Sequence, residues 1–149
     1  MSAPSLRQAR STDAGKVGAI LSAFIDENDW MPRLHTRAED VGFAAHMIDK
    51  GWVTVAESDG QITGFIARDD AFVHALYIAA TARGQGCGTA LLQGAQGQSD
   101  TLDLWSFQAN TRAQAFYRKH GFAEVERTDG ARNDEGLPDI RLLWKREGT

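Results

Sequence analysis

Hydrophobic residues in the first third of the chain recur at the spacing of an α-helix, after a short strand predicted at Leu6–Arg10. The side chains that share one helical face are Val17, Ile20, Leu21 and Phe24. A second helix is predicted to begin behind Thr36 and Glu39, because the two side chains of such a capping box satisfy free backbone N–H groups. This part of the chain therefore predicts a strand followed by two helices.

Three runs rich in β-branched and aromatic residues follow the second helix. They span Trp52–Glu57, Gln61–Arg68 and Phe72–Ile78. The first two runs are separated by a turn that contains Asp59 and Gly60, and an Asp-Gly pair readily adopts the positive φ values of a tight hairpin. The three runs therefore predict an antiparallel meander.

Helical and extended patterns alternate from there to the end of the chain. The predicted elements are a helix over Thr89–Gln98, a strand over Leu102–Gln108, a helix over Asn110–His120 and strands near Phe122–Arg127 and Ile140–Lys145. The predicted order of elements is β-α-α-β-β-β-α-β-α-β-β. This mixture of helices and strands predicts an α/β (α+β) fold class.

The composition narrows the classes of function. The chain has 149 residues, of which 42% are hydrophobic and 24% charged, and no linker divides it, so a single domain over residues 1–149 is predicted. A formal net charge of −4 argues against nucleic acid as a partner. No apolar run approaches the roughly 18 residues of a membrane span. With one cysteine, neither a disulfide nor a metal site is predicted, and a cytoplasmic location is expected.

A glycine-rich stretch follows the strand Phe72–Ile78. Gly84, Gly86 and Gly88 stand at every second position before a predicted helix. Glycines let the backbone approach an anion closely, and a helix start presents unpaired N–H groups at the positive end of its dipole. The spacing matches neither the dinucleotide fingerprint nor the nucleotide P-loop. It predicts a phosphate-binding loop, with a turn that merely packs helix against strand as the alternative.

The same stretch carries a family resemblance. Arg83, Gly86 and Gly88 fill the Arg/Gln-x-x-Gly-x-Gly/Ala pattern, and the sequence resembles the GCN5-related N-acetyltransferase (GNAT) superfamily. Residues 110–122 are similar to the family's Asn-x-x-Ala-x-x-Phe-Tyr-x-x-x-Gly-Phe segment. The specific signal is confined to residues 72–122. The resemblance implies the GNAT fold, a mixed, mostly antiparallel central sheet of about seven strands flanked by four helices.

The resemblance also implies acetyl-CoA as the cosubstrate. Backbone amides of the glycine loop are expected to bind the pyrophosphate, and Leu76 and Ile78 are expected to bond the pantetheine arm in the manner of an added strand. A covalent route through the cysteine of this loop is disfavoured, because a pyrophosphate loop lies far from the thioester carbonyl. The implied cofactor-binding residues are Leu76, Tyr77, Ile78, Arg83, Gly84, Gln85, Gly86, Cys87, Gly88, Thr89, Asn110 and Phe116.

Two residues are candidates for proton transfer. Tyr117 matches the tyrosine that the family often uses to protonate the departing thiolate, with aromatic packing beside Phe116 as the alternative. His74 is expected on the same strand face as Leu76 by the period of two, where an imidazole could accept a proton, although a packed strand histidine is the favoured interpretation. Rival bases are His35, Glu39, Asp69 and Glu135.

Trp30 and His35 lie in the segment between the first two helices, which in this superfamily borders the acceptor pocket. An aromatic ring beside acidic residues suits an amine, with a buried tryptophan as the alternative. The resemblance implies acetyl transfer to a primary amine of a small molecule or peptide by direct attack in a ternary complex. Alternatives are a sensor module that binds acyl-CoA without catalysis and transfer of a longer acyl group. The sequence leaves open the acceptor, the base, the acyl length and whether the chain forms a homodimer.

Overall fold

A strand and two helices open the chain in the computed structural model, which describes residues 4–147. They are β1 (Ser5–Gln8), α1 (Ala14–Glu27) and α2 (Arg37–Asp49), with a short 3₁₀ turn at Ser11–Asp13. The Thr36 hydroxyl accepts the N–H of Glu39 (3.1 Å), and the Glu39 carboxylate accepts the N–H of Thr36 (2.9 Å). The capping box predicted at the start of α2 is thereby confirmed.

The next three strands form the predicted meander. They are β2 (Val53–Ser58), β3 (Gln61–Asp69) and β4 (Phe72–Ile78), each antiparallel to its neighbour in the chain. Asp59 and Gly60 have φ values of 53° and 76°. Both values are positive, as the two-residue turn predicted for an Asp-Gly pair requires.

The remaining elements alternate between helix and strand. They are α3 (Cys87–Gln96), β5 (Thr101–Phe107), α4 (Thr111–Lys119), β6 (Ala123–Thr128) and β7 (Asp139–Lys145). Helix α3 begins two residues before the predicted Thr89, because Gly86 adopts a left-handed φ of 85° and starts the helix there. The predicted order of elements is confirmed.

The seven strands form one sheet in the order β1-β2-β3-β4-β5-β7-β6, in which only the β4–β5 pair is parallel. Helices α1 and α2 cover one face, where fully buried Phe65 of β3 packs among their apolar residues. Helices α3 and α4 cover the other face, where Leu92 and Leu104 are buried. The predicted α/β (α+β) fold, a mostly antiparallel seven-stranded sheet with four helices, is confirmed.

A bulge in β4 corrects one expectation. The pairing of β3 with β4 shifts at His74, which has no partner on β3, and a bulge interrupts the alternation of side chains between the faces. The prediction that His74 shares a face with Leu76 is therefore wrong. Leu76 packs against the core beside α3, whereas the His74 ring stacks on Trp52 (4.5 Å between centroids, 11° between planes), which packs against the core of α1 and α2.

Within residues 4–147, no helix is long and apolar enough to cross a bilayer. In the same part of the chain, no group of three or more His, Cys, Asp or Glu side chains is arranged to hold a metal ion. The single domain over residues 1–149 stays a prediction, and it includes residues 1–3 and 148–149, which lie outside the described residues.

Candidate functional site

The parallel strands β4 and β5 separate soon after they begin. Their one registered pair among the described residues joins Phe72 to Asp103, whose N–H donates to the C=O of Ala71 (2.8 Å). Beyond this pair lies a cleft of about 810 Å³, bordered by the end of β4, the glycine loop, the start of α4 and the end of α1. The divergence of the two strands therefore leaves an open space at the centre of the sheet.

One edge of β4 presents its backbone to this cleft. The N–H of Ala79 donates to the C=O of Thr63 (2.8 Å), which fixes the groups of β4 that face β3. Because backbone groups alternate between the two edges of a strand, those of Leu76 and Ile78 face away from β3. Both residues line the cleft. Their N–H and C=O groups are therefore positioned for an extended ligand that replaces the missing part of β5.

The glycine loop forms one end of the cleft. Gly84 and Gly86 have positive φ values of 77° and 85°, and Gly86 precedes α3 without a side-chain cap. The first helical bond of α3 runs from the N–H of Ala90 to the C=O of Gly86 (2.9 Å). The N–H groups of residues 87–89 therefore have no acceptor within the helix. The unsatisfied donors and the helix dipole suit a phosphate group.

The other predicted members of the loop differ in their placement. Arg83, Cys87, Gly88 and Thr89 line the cleft, together with Gly84 and Gly86. Gln85 does not line it, since its exposed side chain donates to the C=O of Thr81 (3.4 Å). Only the backbone of Gln85 therefore belongs to the loop that faces an anion.

Arg83 is engaged across the mouth of the cleft. Its guanidinium donates to the carboxylate of Glu27 at the end of α1, and both side chains are about one third exposed. An anionic ligand at the glycine loop must compete with Glu27 for this guanidinium. The pairing of Glu27 with Arg83 was not predicted, because nothing in the local sequence pattern brings the end of α1 to the loop.

Glu27→Gln is expected to tighten the binding of acetyl-CoA about 1.4- to fivefold, because an exposed ion pair of roughly 0.2–1 kcal/mol no longer occupies Arg83. Isothermal titration with acetyl-CoA measures the change. Asp29→Asn is the matched control, since it removes one charge from the same turn without contact to Arg83. Equal changes in the two variants, or weaker binding in Glu27→Gln, would contradict a competing role for Glu27.

Tyr117 faces the cleft from α4. The Asn110 side chain accepts the N–H of Ala113 (3.2 Å) and so caps the helix, while Tyr117 packs against Phe116 (5.4 Å between ring centroids) and is 8% exposed. Burial raises the pKa of the Tyr117 phenol above its usual range. Its hydroxyl has no hydrogen-bond partner among the described residues, yet it is not sealed from solvent. Tyr117, Asn110 and Phe116 all line the cleft.

A second phenol lies near Tyr117. The side chain of Tyr77 lines the cleft from β4 and packs against Phe24 (4.5 Å between ring centroids). Burial raises the pKa of Tyr77 to about 12, and the Glu135 carboxylate adds to the increase. Both phenols therefore stay protonated at neutral pH, and either can donate a hydrogen bond.

The two predicted acceptor residues are placed differently. Trp30 lines the cleft and packs edge-on against Phe24 and Phe107, with centroids 6.1 and 5.7 Å apart. His35 does not reach the cleft, since its exposed ring lies 3.8 Å from Glu39 in the next helical turn. His74 is also absent from the cleft, because its ring stacks outside it on Trp52.

A second cavity of about 710 Å³ lies beside the end of β5. It is lined by Trp105 and Phe107 and by the loop that joins β6 to β7, residues 129–138, with Thr128 and Asp139 at the ends of that loop. Phe107 belongs to this cavity, and its ring contacts Trp30 of the cleft. The two spaces therefore share a wall. The length of the loop before β7 is a feature of the sequence that favours a functional role. Phe24 and Phe107 lie within a predicted helix and a predicted strand, where nothing in the sequence marks them as site residues.

Cys87 does not present its thiol to the cleft as a nucleophile. Its side chain is 2% exposed, and its Sγ lies 3.3 Å from the hydroxyl of Thr63 on β3. We expect Cys87→Ala to retain turnover within about twofold, since no covalent step on this sulfur is needed. Release of free CoA measures the rate. A loss of about 10²-fold with unchanged acetyl-CoA binding would instead indicate an acylated cysteine.

Comparison with known families decides between the possible uses of such a cleft. A family model described as an acetyltransferase (GNAT) domain matches residues 49–124, just over half of the chain. The chain belongs to the GNAT family. The matched residues include β4, the glycine loop and α4, so the GNAT match covers the cleft except for the side formed by α1 and the residues that follow it. As a GNAT acetyltransferase, the protein is an enzyme of acetyl transfer.

Two curated relatives carry the same activity in their names. The chain is 28% identical to peptidyl-lysine N-acetyltransferase YjaB of Salmonella typhimurium over 93% of its own length and 97% of the relative's. It is 35% identical to peptidyl-lysine N-acetyltransferase YiaC of Escherichia coli over 64% of its own length and 63% of the relative's. The second match therefore spans less than two thirds of either protein.

Solved structures show the same GNAT fold. The solution structure of apo YjaB from Escherichia coli superposes with a TM-score of 0.80 at 23% identity, over 96% of this chain and 98% of that one. The structure of YncA from Salmonella typhimurium, solved with its cofactor acetyl-CoA, superposes with a TM-score of 0.75 at 16% identity, over 97% and 94% of the two chains. The fold is thus shared over nearly the whole chain.

Proposed function

We propose that this GNAT chain transfers the acetyl group of acetyl-CoA to a primary amine of a peptide or small molecule, by direct attack in a ternary complex. One observation carries the proposal. The divergence of β4 and β5 creates a single cleft that holds a loop of unsatisfied N–H groups at one end and the unpartnered hydroxyl of Tyr117 within it. Family membership and a fold neighbour solved with acetyl-CoA support the choice of cosubstrate.

The residues of the cleft fit the parts of acetyl-CoA. Amides of Gly84 to Thr89 bind the pyrophosphate, with Arg83 beside it once Glu27 is displaced. The exposed edge of β4 bonds the pantetheine amides like a neighbouring strand, through the backbone groups of Leu76 and the C=O of Ile78. Asn110 and Phe116 line the cleft from α4.

Two groups of the chain assist the transfer. Acetyl-CoA supplies an acetyl group activated as a thioester. The N–H of Ile78, which faces the cleft, donates to the thioester carbonyl oxygen and stabilises the negative charge that develops there. Tyr117 donates its phenolic proton to the departing sulfur, a role that its raised pKa supports because the proton stays on the phenol at neutral pH.

The acceptor that the relatives favour is the side-chain amine of lysine. Both curated relatives are named peptidyl-lysine N-acetyltransferases. The cleft also suits an amine, because the ring of Trp30 can hold an ammonium group or an alkyl chain. The single cysteine supports our further proposal that the protein works in the cytoplasm.

Release of free CoA from acetyl-CoA tests the proposed function. The protein is incubated with lysine peptides of blocked N-terminus, peptides with free N-termini, polyamines, aminoglycosides and amino acids, and each product is examined by mass spectrometry. We expect release that depends on the acceptor and a product that carries one acetyl group. Saturable binding of acetyl-CoA without release on any amine would contradict the proposed function and favour a sensor.

A further inference from the structure

The second cavity contains several carboxylates, most of which are engaged. They are Glu126, Asp129, Glu135 and Asp139. Asp139 accepts a hydrogen bond from the Thr128 hydroxyl, and Asp129 accepts one from the N–H of Ala131 (3.0 Å). Glu126 pairs with the Arg141 guanidinium (3.8 Å). Glu135 forms no ion pair and accepts no hydrogen bond from any other described residue. It is therefore the carboxylate of this cavity that is free to accept a proton.

Glu135 lines the second cavity, whose Phe107 ring contacts Trp30 of the cleft. Its carboxylate is close enough to the phenol of Tyr77 to affect its pKa, and the phenol of Tyr77 in turn affects that of Tyr117. Both phenols line the cleft, whereas Glu135 lines the second cavity. An amine that enters past Glu135 therefore approaches the two phenols.

The loop that carries Glu135 is held by its own hydrogen bonds. The Asn133 side chain donates to the C=O of Leu137 (2.8 Å) and to the Asp139 carboxylate (3.2 Å), and it accepts the N–H of Leu137 (3.2 Å). The N–H of Gly136 donates to the C=O of Asn133 (3.2 Å). These bonds close the turn around Glu135 and fix the position of its backbone.

We propose that Glu135 is the general base of the transfer and that the acceptor amine enters through the second cavity. This inference rests on the proposed function, because it needs an ammonium acceptor and an acetyl donor in the cleft. The wall of Trp30 and Phe107, shared by the two spaces, guides the alkyl chain of the acceptor between them.

Glu135 and Tyr117 carry the protons of the proposed transfer. The Glu135 carboxylate takes one proton from the acceptor ammonium, and the freed lone pair of the nitrogen forms a C–N bond to the thioester carbonyl carbon. The C–S bond breaks, and the sulfur takes the proton of Tyr117. The nitrogen then loses a second proton, which returns to the Tyr117 oxygen, while Glu135 passes its proton to solvent. The products are an acetamide, free CoA and one proton.

The surroundings of Glu135 make it a stronger base than an exposed carboxylate. Burial raises the pKa of Glu135, and the nearby charge of Asp134 and more weakly of Asp139 adds to the increase, while His35 opposes it. These groups and Tyr77 are the titratable groups that interact with Glu135. A base is active when deprotonated, so activity is expected to fall as the pH drops through this raised pKa.

The other bases considered are placed elsewhere. Glu39 is exposed and held in the capping box of α2. Asp69 ends β3 at a distance from the cleft, beside His74, and neither lines the cleft or the second cavity. His35 is exposed and lines neither space. Glu135 is therefore the candidate base that the structure brings to the path of the acceptor.

Glu135→Gln tests the inference, with Asp134→Asn as the matched control. Asp134 is the neighbouring exposed acid of the same loop and lines neither space. The acceptors are a blocked peptide with one lysine and the same peptide with S-aminoethylcysteine, whose less basic amine loses its proton more readily. We expect Glu135→Gln to lower kcat/KM for the lysine peptide about 10²-fold, to affect the second peptide less, and to remove the acidic limb of the pH profile. Asp134→Asn is expected to keep kcat/KM within about twofold of wild type at neutral pH. It is expected to shift the acidic limb to lower pH without removing it, because the Asp134 charge contributes to the raised pKa of Glu135.

Several outcomes would overturn the inference. A turnover of Glu135→Gln equal to that of wild type would exclude Glu135 as the base. A loss of turnover in Asp134→Asn as large as that in Glu135→Gln would exclude it as well. An equal loss of kcat/KM on both peptides, with an unchanged pH profile, would indicate that Glu135 serves substrate binding or loop structure and not proton transfer. If the wild type transfers acetyl to no amine of the panel, the proposed function fails, and the inference fails with it. If the wild type transfers and Glu135→Gln does so equally, only the inference fails.

Discussion

Tyr117→Phe is expected to lower kcat about 10²-fold or more while the Kd for acetyl-CoA changes less than about twofold. The variant removes only the phenolic oxygen, which has no hydrogen-bond partner among the described residues and faces the cleft. The ring contacts with Phe116 and Phe122 are kept, so binding and folding are preserved. Steady-state release of CoA and titration with acetyl-CoA measure the two quantities.

Stability and pH dependence are the controls for this variant. The Tm of Tyr117→Phe is expected to match that of wild type, because the missing hydroxyl leaves no described donor or acceptor unpaired. The raised pKa keeps the acid protonated as the pH rises, so wild-type activity is expected to persist through the alkaline range where an ordinary phenol ionises. Equal kcat in the variant and wild type would remove Tyr117 from the mechanism.

Gly86→Ala is expected to weaken acetyl-CoA binding about tenfold. Gly86 has a φ of 85°, a conformation that costs an alanine roughly 1–2 kcal/mol. In the free protein the loop can relieve this strain by leaving that conformation. The ligand must then restore the strained conformation, which lowers the free energy gained on binding. Titration with acetyl-CoA gives the Kd.

Gly60→Ala is the matched control for this strain. Gly60 has a φ of 76°, and the space around its missing Cβ is as open as that at Gly86. It lies in the turn between β2 and β3 and does not line the cleft. Both variants place an alanine at a positive φ, but only Gly86→Ala is expected to lose affinity. Equal Kd values in the two variants would contradict the assignment of the glycine loop to the pyrophosphate.

Features fixed by neighbouring residues were predictable from the sequence. The capping box of Thr36 and Glu39 and the turn at Asp59 and Gly60 both depend on local backbone chemistry. The same is true of the order of elements, which follows the spacing of apolar residues. These features sufficed to place the glycine loop and Tyr117 on the correct elements.

Features that depend on contacts between distant segments were not predictable. The bulge that removes His74 from the cleft arises from the pairing of β4 with β3, and no local pattern signals it. Glu27 forms an ion pair with Arg83 only because α1 ends beside the glycine loop. The aromatic wall of Trp30 and Phe107 likewise joins residues that are far apart in the chain.

Occupation of the cleft by acetyl-CoA is tested most directly by the backbone amide resonances of ¹⁵N-labelled protein during titration with acetyl-CoA. The largest shifts are expected at the amides of Leu76 and Ile78 and of residues 84–89, and small shifts are expected in the turn at Gly60. This pattern would place the pantetheine arm along β4 and the pyrophosphate at the start of α3. Saturable binding that leaves these amides unshifted would contradict the site.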